Sequence, residues 1–151
     1  MAINLSGHTI LIIEDDPSIG HLLSALLKFE GADVFLVIGR KEALNFLNEK
    51  KDVFKPSVII TDNKMRGITG LEFLKNLKDK GIVIPTVMLT ADIKKETREE
   101  ALRLGVMQVF LKPFETTFPN DLKKLLEVKP AKQQTTQEEV SPLTIPIDEK
   151  D

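Results

Sequence analysis

The chain has 151 residues, of which 42% are apolar and 29% charged, with a formal net charge of −2 at pH 7 and no cysteine. This composition predicts one globular domain without disulfides, and the near-neutral charge argues against a nucleic-acid-binding surface. No apolar run approaches the roughly 20 residues that a membrane span requires. We therefore expect a cytoplasmic protein without direct nucleic-acid contacts or membrane insertion.

Short apolar runs alternate with amphipathic segments five times along the chain. The apolar runs predict five strands, over residues 9–13, 33–38, 58–61, 84–89 and 106–111. The segments between and after them predict five helices, near residues 17–30, 40–50, 71–80, 93–104 and 114–128. This alternation predicts a parallel sheet with helices on both faces. The expected fold class is therefore α/β, a doubly wound five-stranded parallel sheet of the flavodoxin-like (βα)5 kind, with strand order 2-1-3-4-5.

The composition changes near residue 129. From there the chain contains three prolines, no glycine and no helical periodicity. We expect a domain over residues 1–128 and an extended or disordered C-terminal tail over 129–151. In the tail, Leu143, Ile145 and Ile147 alternate with Thr144 and Pro146, which makes residues 140–147 a candidate docking segment.

Polar side chains stand at the carboxyl ends of four predicted strands. Glu14 and Asp15 follow the first strand, Asp62 follows the third, Thr90 follows the apolar run of the fourth, and Lys112 follows the fifth. Strand ends of one parallel sheet converge, and open α/β sheets bind ligands at that edge. Each residue alone has an ordinary reading, such as a helix-capping acid or a solvated lysine. Together they predict one shared site.

Clustered carboxylates repel one another unless a cation lies among them, and oxygen-only ligands suit Mg²⁺. A carboxylate beside Mg²⁺ can attack phosphorus and form an aspartyl phosphate. A lysine ammonium and a threonine hydroxyl would then contact the phosphoryl oxygens. The chain has no Gly-rich phosphate loop, so we expect the phosphoryl group to come from another molecule, and not from directly bound ATP.

Four motifs resemble those of the receiver domain of two-component response regulators: ILIIEDDPS, TDNKMRGITG, MLTA and FLKPF. The resemblance covers residues 9 to about 127 and implies a stand-alone signalling phosphoacceptor. Asp62 would contact Mg²⁺ and accept a phosphoryl group from a sensor histidine kinase or a phosphotransfer protein. The chain would then switch a surface that binds a downstream protein target, and would catalyse only its own phosphorylation and dephosphorylation.

The resemblance also implies roles for the other residues of the site. Asp15 would bind Mg²⁺ directly, Glu14 would bind it through water, and the backbone carbonyl of Lys64 would be the third protein contact. Thr90 and Lys112 would contact the phosphoryl group and carry the switch.

A partner surface is expected beside the last strand. Residues 106–111 are predicted to form a sheet edge, where Met107 and Val109 would give a small apolar patch flanked by Arg98 and Arg103. We expect the fourth helix, fifth strand and fifth helix to form this surface, which is also a candidate homodimer interface.

Two positions depart from the family pattern. Arg66 stands where Pro usually follows the loop methionine, and Val109 stands where receivers usually carry a Tyr or Phe that moves with the Thr. Phe110 should not replace that ring, because successive strand residues point to opposite faces. These departures leave open a phosphorylation-independent interaction module. A Mg²⁺-dependent phosphohydrolase of the haloacid dehalogenase type is less favoured, since its nucleophile ends the first strand in a DxD pattern that EDDP lacks.

Overall fold

The computed structural model describes residues 3–50, 55–65, 67–91 and 94–135, without the side chains of residues 40, 50 and 128–135. Its strands are β1 (Thr9–Ile13), β2 (Asp33–Val37), β3 (Val58–Thr61), β4 (Lys64–Met65), β5 (Ile68–Thr69), β6 (Thr86–Thr90) and β7 (Val106–Leu111). Its helices are α1 (Pro17–Phe29), α2 (Arg40–Lys50), α3 (Gly70–Asp79), α4 (Lys95–Arg103) and α5 (Phe118–Thr135). None of the helices in these ranges is long and apolar enough to cross a membrane. The chain divides into a first unit that ends at Pro119 and contains every strand of the described residues, and a second unit that begins at Asn120.

Five strands form one parallel sheet in the order β2-β1-β3-β6-β7. Since β6 and β7 are the fourth and fifth strands of this sheet along the chain, the predicted order 2-1-3-4-5 is confirmed. Strand β3 lies at the centre, and all four of its residues are buried. This burial is typical of a strand covered by helices on both faces.

One face of the sheet packs against α2, α3 and α4. Their apolar side chains meet those of β1, β3, β6 and β7 in one hydrophobic cluster, which includes Leu11, Ile59, Phe73, Met88 and Ala101. Phe73 is fully buried there, and burial of a side chain of this size contributes about 1.5–3 kcal/mol. The cluster anchors these helices to the strands that carry the site residues at their carboxyl ends.

Helix α1 packs against β1 and β2 and carries two apolar stripes. Leu23 and Leu27 are buried, as a helix packed on a sheet requires. Ile19, Leu22 and Leu26, which the helical periodicity places on the same face, are not: Leu22 is 63% exposed and the other two are partly buried. The helical periodicity predicts one wide apolar face on α1, whereas the structure has a buried stripe and a separate, more exposed one.

The segment after Asp62 forms a hairpin that the sequence did not predict. Strands β4 and β5 pair antiparallel, with Lys64 opposite Thr69 and Met65 opposite Ile68. Strands of two residues are too short to show an alternating pattern. The hairpin leads directly into α3, and so it fixes the path of the chain beside Asp62.

The last helix differs from the prediction mainly at its C-terminal end. It begins at Phe118, within the predicted segment and one residue before Pro119, where a late start or first turn is expected. It continues to Thr135, so residues 129–135 are helical and not extended. The prediction rested on the three prolines of residues 129–151, the absence of glycine and the lack of helical periodicity. However, Ala, Lys and Gln are good helix formers, and each residue other than proline that is added to an existing helix gains a hydrogen bond. Residues 136–151, with the candidate docking segment 140–147, lie outside the described residues.

Candidate functional site

Four strands deliver the predicted site residues to one edge of the sheet. Glu14 follows β1, Asp62 follows β3, Thr90 is the last residue of β6, and Lys112 follows β7. The backbone ladder continues past the strand ends, because the Lys112 N–H donates to the Thr90 carbonyl at 2.9 Å. Since β6 lies between β3 and β7, Thr90 stands between the strands that deliver Asp62 and Lys112.

Lys112 joins the two buried carboxylates of this edge. Its Nζ donates to Oε1 of Glu14 at 2.7 Å and to Oδ2 of Asp62 at 2.6 Å. The three side chains are only 5–12% exposed. Hydrogen bonds between ionised groups are short and strong, and they strengthen further where water is excluded. The ammonium therefore supplies the positive charge that two buried carboxylates require.

The remaining carboxylate oxygens also have partners. Oδ1 of Asp62 accepts from the Lys64 N–H at 3.2 Å, and Oε2 of Glu14 accepts from the Asp16 N–H at 3.1 Å. These bonds come from residues two positions further along the chain, so local backbone geometry orients both carboxylates. Asp62 is thereby held with one oxygen towards Lys112 and the other towards the hairpin.

For both Glu14 and Lys112, burial and hydrogen bonding shift the pKa in opposite directions. Burial raises the pKa of Glu14 above its usual range, and the hydrogen bond from Lys112 offsets this only in part. Burial acts to lower the pKa of Lys112, but the hydrogen bonds to Asp62 and Glu14 outweigh it, and that pKa lies above its ordinary value. Lys112 therefore remains a cation at neutral pH, whereas ionised Glu14 is less favoured than in water.

Helix α3 begins directly against the residue that follows Asp62. The Asn63 carbonyl accepts from the Gly70 N–H at 2.7 Å, and Oδ1 of Asn63 accepts from the Leu71 N–H at 3.3 Å. A Cβ at position 70 would collide with the backbone of Asp62 and Asn63, so this approach requires glycine. Sequence reasoning missed Asn63, although Asn is a residue type that satisfies free helix N–H groups.

Asp15, the residue after Glu14, is half-buried and lines a cavity of about 290 Å³ with Lys41 and Gly67 among its neighbours. In the part of the chain that the structure describes, no group of three or more Asp, Glu, His or Cys side chains is arranged to hold a metal ion. Among these residues, Lys112 is the cation that contacts both Glu14 and Asp62.

The donor chemistry nevertheless fits Mg²⁺. One nitrogen atom lies within 2.7 Å of a Glu14 oxygen and an Asp62 oxygen, so a single cation can contact both side chains. Carboxylate and carbonyl oxygens are the ligands that Mg²⁺ prefers. A metal at this position would compete with Lys112 for the same two carboxylates.

The two neighbours in β7 point to opposite faces of the sheet. Val109 is partly buried against the hydrophobic cluster, whereas the Phe110 ring packs edge to face on Phe118 with centroids 4.9 Å apart. Phe110 thus does not replace the ring that position 109 lacks. Met107 and Val109 are both partly buried, so the small apolar patch expected from these two residues stays a prediction.

The family model for the response regulator receiver domain matches residues 10–127. A protein of 14.6 kDa from Leptolyngbya boryana is 32% identical over 125 residues, which are 82% of this chain and 90% of that protein. The Regulator of RpoS from Escherichia coli is 32% identical over 82% of this chain, and the transcriptional regulatory protein FixJ from Rhizobium meliloti is 31% identical over 75%. The chain spans 34% of the length of the Regulator of RpoS and 53% of the length of FixJ.

Solved structures agree with these relatives. The receiver domain of Francisella response regulator 1452 has a TM-score of 0.71 at 26% identity, and the match covers 82% of this chain and 99% of that chain. The structure of FixJ-N has a TM-score of 0.70 at 26% identity, and covers 82% of this chain and 96% of that chain. The motifs, the sheet order and these matches lead to one conclusion: the chain belongs to the response regulator receiver domain family of two-component signalling systems.

Proposed function

We propose that the chain is a phosphorylation-dependent switch in which Asp62 accepts a phosphoryl group from the phosphohistidine of a sensor histidine kinase or a phosphotransfer protein. A carboxylate oxygen of Asp62 attacks phosphorus. The bond between phosphorus and the donor imidazole nitrogen breaks, and its electron pair stays on that nitrogen. The products are an aspartyl phosphate on this chain and an unmodified histidine on the donor.

The contact of Lys112 with both Asp62 and Glu14 carries this proposal. A lysine already 2.6 Å from the acceptor carboxylate is placed to neutralise an oxygen of the phosphoryl group that arrives there. Thr90 is buried at the end of the strand between Asp62 and Lys112. Its hydroxyl would donate to another phosphoryl oxygen and pull on the end of β6.

Mg²⁺ would be held by Glu14, Asp15, Asp62 and the backbone carbonyl of Lys64, and when bound it would neutralise charge on the phosphoryl group during transfer. Support comes from the oxygen-only donor set and from the position of Lys112, which marks where one cation contacts two carboxylates. Loading the site would release Lys112 from at least part of its present pairing. That freedom allows the ammonium to follow the phosphoryl group.

The output surface would lie on α4 and β7, together with α5 as the sequence predicts. Helix α4 packs against β7, and the Lys112–Thr90 backbone bond joins β7 to β6 at the site. A displacement at Thr90 would thus be passed to β7, which contacts α4. Leu102 and Leu111 are 48% and 53% exposed on these elements. This surface would bind a downstream protein target or form a homodimer in the phosphorylated state.

The second candidate is an interaction module that works without phosphorylation. The observation that favours it is the missing ring at Val109, which removes the aromatic part of the usual switch. The phosphohydrolase reading has less support, since Asp62 follows the third strand and not the first. Cytoplasmic localisation and the absence of direct nucleic-acid contacts stay predictions from composition.

Intact-mass measurement after incubation with Mg²⁺ and acetyl phosphate tests the proposal. The wild-type chain should gain one phosphoryl mass, and Asp62→Asn should gain none because an amide does not attack phosphorus. Asp79→Asn, on the exposed end of α3, is the matched control and should be labelled like the wild type. Labelling of Asp62→Asn at the wild-type level would refute the assignment of the acceptor. No labelling of the wild type by acetyl phosphate or by a phosphorylated kinase would favour the phosphorylation-independent module.

A further inference from the structure

The first turn of α3 receives its hydrogen-bond acceptors from two residues. A helix leaves its first N–H groups without partners inside the helix. The Glu72 N–H donates to Oγ1 of Thr69, directly before the helix, at 3.1 Å. The Gly70 and Leu71 N–H groups donate to Asn63, to its backbone carbonyl at 2.7 Å and to its Oδ1 at 3.3 Å. Asn63 therefore supplies two of the first three acceptors.

Asn63 is thereby tied to an element that is firmly packed. Helix α3 buries Phe73, Leu74 and Leu77 in the hydrophobic cluster on the sheet. Protein interiors are close-packed, so a helix held in this way resists displacement. Asn63 itself is only 6% exposed, and hydrogen bonds are stronger where water is excluded. The residue after the proposed acceptor is thus fixed relative to α3.

The peptide bond between Asn63 and Lys64 connects α3 to the Asp62 carboxylate. Its carbonyl accepts from the Gly70 N–H, and its N–H, which belongs to Lys64, donates to Oδ1 of Asp62 at 3.2 Å. A peptide bond is planar, so the direction of its carbonyl sets the direction of its N–H. The bond to the carbonyl alone still permits the plane to rotate about the axis of that bond. The second bond, from the Leu71 N–H to Oδ1 of Asn63, restricts this rotation.

We propose that Asn63 is a positioning residue, which orients the Asp62 carboxylate through the Lys64 N–H. In this arrangement Oδ1 of Asp62 is held from α3, whereas Oδ2 is bonded to Lys112, which follows β7. Loading of the site would change the bond to Lys112 but not the bonds between Asn63 and α3. A phosphoryl group is transferred fast only between aligned groups, so the role of Asn63 in the rate rests on the function proposed above.

Asparagine suits this role because it accepts a hydrogen bond without carrying a charge. Asp62 and Glu14 are buried carboxylates that share the Lys112 ammonium. Asn63→Asp would keep an oxygen for the Leu71 N–H, but it would add a third carboxylate directly after Asp62. Like charges at close range oppose each other's ionisation. An uncharged acceptor therefore holds the Asp62 carboxylate in place without opposing its ionised form.

The amide resonance of Lys64 in the ¹⁵N-labelled full chain tests the proposal. Asp62→Ala removes the acceptor and marks the resonance position of the unbonded amide. Asn63→Ala should move the resonance towards that position, and Asn63→Asp should bring it back towards the wild-type position, because an oxygen again accepts from the Leu71 N–H. Asn63→Ala should also slow phosphoryl uptake from acetyl phosphate by about tenfold or more, as misalignment of a reacting group does.

Thr69→Ala is the matched control, because it removes a different acceptor from the same helical turn. Both alanine variants should lower the stability of the fold to a similar extent in denaturant. Only Asn63→Ala should move the Lys64 resonance and slow phosphoryl uptake. Equal shifts in the two variants overturn the proposal, because the stability of α3 would then explain them. An unmoved resonance or normal uptake in Asn63→Ala overturns it as well.

Failure of the proposed function gives a different result. A wild type that takes up no phosphoryl group, either from acetyl phosphate or from a phosphorylated kinase, would refute that function. The Lys64 resonance is measured without a phosphodonor, so its response to Asn63→Ala would then alone decide whether Asn63 orients the Asp62 carboxylate.

Discussion

Lys112 donates a 2.6 Å hydrogen bond from Nζ to Oδ2 of Asp62, a residue 50 positions earlier in the chain. The same nitrogen also bonds Glu14 at 2.7 Å. The residue proposed to contact the phosphoryl group is therefore also the counter-ion that stabilises the site without it. Under the proposed function, stability, metal binding and phosphoryl chemistry would be coupled through this single side chain.

Removing this ammonium should destabilise the fold when Mg²⁺ is absent. Lys112→Ala leaves two buried carboxylates facing each other, and breaking a buried ion pair by removing one partner costs about 3 kcal/mol or more. Denaturant unfolding at neutral pH in a chelator measures the loss. Lys78→Ala, an exposed lysine of α3, should stay within about 0.5 kcal/mol of the wild type.

Mg²⁺ should restore more stability to Lys112→Ala than to the wild type. A ligand that binds only the folded state stabilises it, and in the variant the metal has no ammonium to displace. The same unfolding measurement with added Mg²⁺ checks this. An equal gain in both proteins would mean that Lys112 and the metal do not compete for Glu14 and Asp62.

The pH dependence of stability should report Glu14. Burial raises its pKa above the ordinary value of 4.5. The folded protein therefore holds this proton more tightly than the unfolded chain, and the resulting stability, full below pH 4.5, is lost as the pH rises through the folded pKa. Glu14→Gln removes the titration, so its free energy of unfolding relative to the wild type should increase from pH 4.5 upwards. Unfolding curves at a series of pH values without metal give this difference, and a difference that does not change with pH contradicts the prediction.

Gly70→Ala should impair both stability and phosphorylation. The new methyl group would meet the backbone of Asp62 and Asn63, which cannot move aside as a flexible side chain can. Overpacking of this kind costs about 1–3 kcal/mol, and the shift should slow phosphoryl uptake at Asp62. Gly39→Ala is the control, because its nearest neighbour is the flexible Glu42 carboxylate at 3.4 Å. Normal labelling and stability of Gly70→Ala would show that the loop tolerates the displacement.

The proposed output surface should be sensitive to charge on α4. Arg98→Glu should weaken capture of a protein target by up to about tenfold, mainly through slower association. Arg98 is preferred to Arg103, because Arg103 already pairs with Glu100 at 2.6 Å and its reversal would also disturb the helix. Lys78→Glu on α3 is the control for net charge. Surface plasmon resonance gives both rates, and equal effects of the two reversals would place the surface elsewhere.

The sheet was predictable because its strands are continuous apolar runs. Strand β1 and strand β3 have the predicted bounds, and Pro17 begins α1 as expected. Very short strands, and helices with more than one apolar stripe, are harder to predict from sequence. The β4–β5 hairpin has two residues per strand, and no period can be read from two residues. Leu22 fits the apolar period of α1 but faces outwards, since periodicity alone does not distinguish one wide stripe from two.

The site was predicted through topology more than through chemistry. Strand ends of a parallel sheet converge, and this alone brings Glu14, Asp62 and Lys112 together. Their pairing was not predicted: the sequence suggests a metal among the carboxylates, and it does not predict that Lys112 bridges Glu14 and Asp62 directly. Whether Lys112 contacts Glu14 and Asp62 depends on how far its side chain extends across the neighbouring strands. The positions of the strands in the sequence do not determine this distance.

The hairpin beside Asp62 makes the protein suitable for optical detection. Lys64 has an exposed side chain, while its backbone N–H bonds the Asp62 carboxylate. The chain has no Cys, so a dye would attach only to Lys64→Cys. It also has no Trp or Tyr, so intrinsic protein fluorescence would be weak. The backbone N–H of the labelled residue bonds the Asp62 carboxylate, which phosphorylation would convert to an acyl phosphate. The emission of the dye would therefore follow the chemical state of Asp62 in real time.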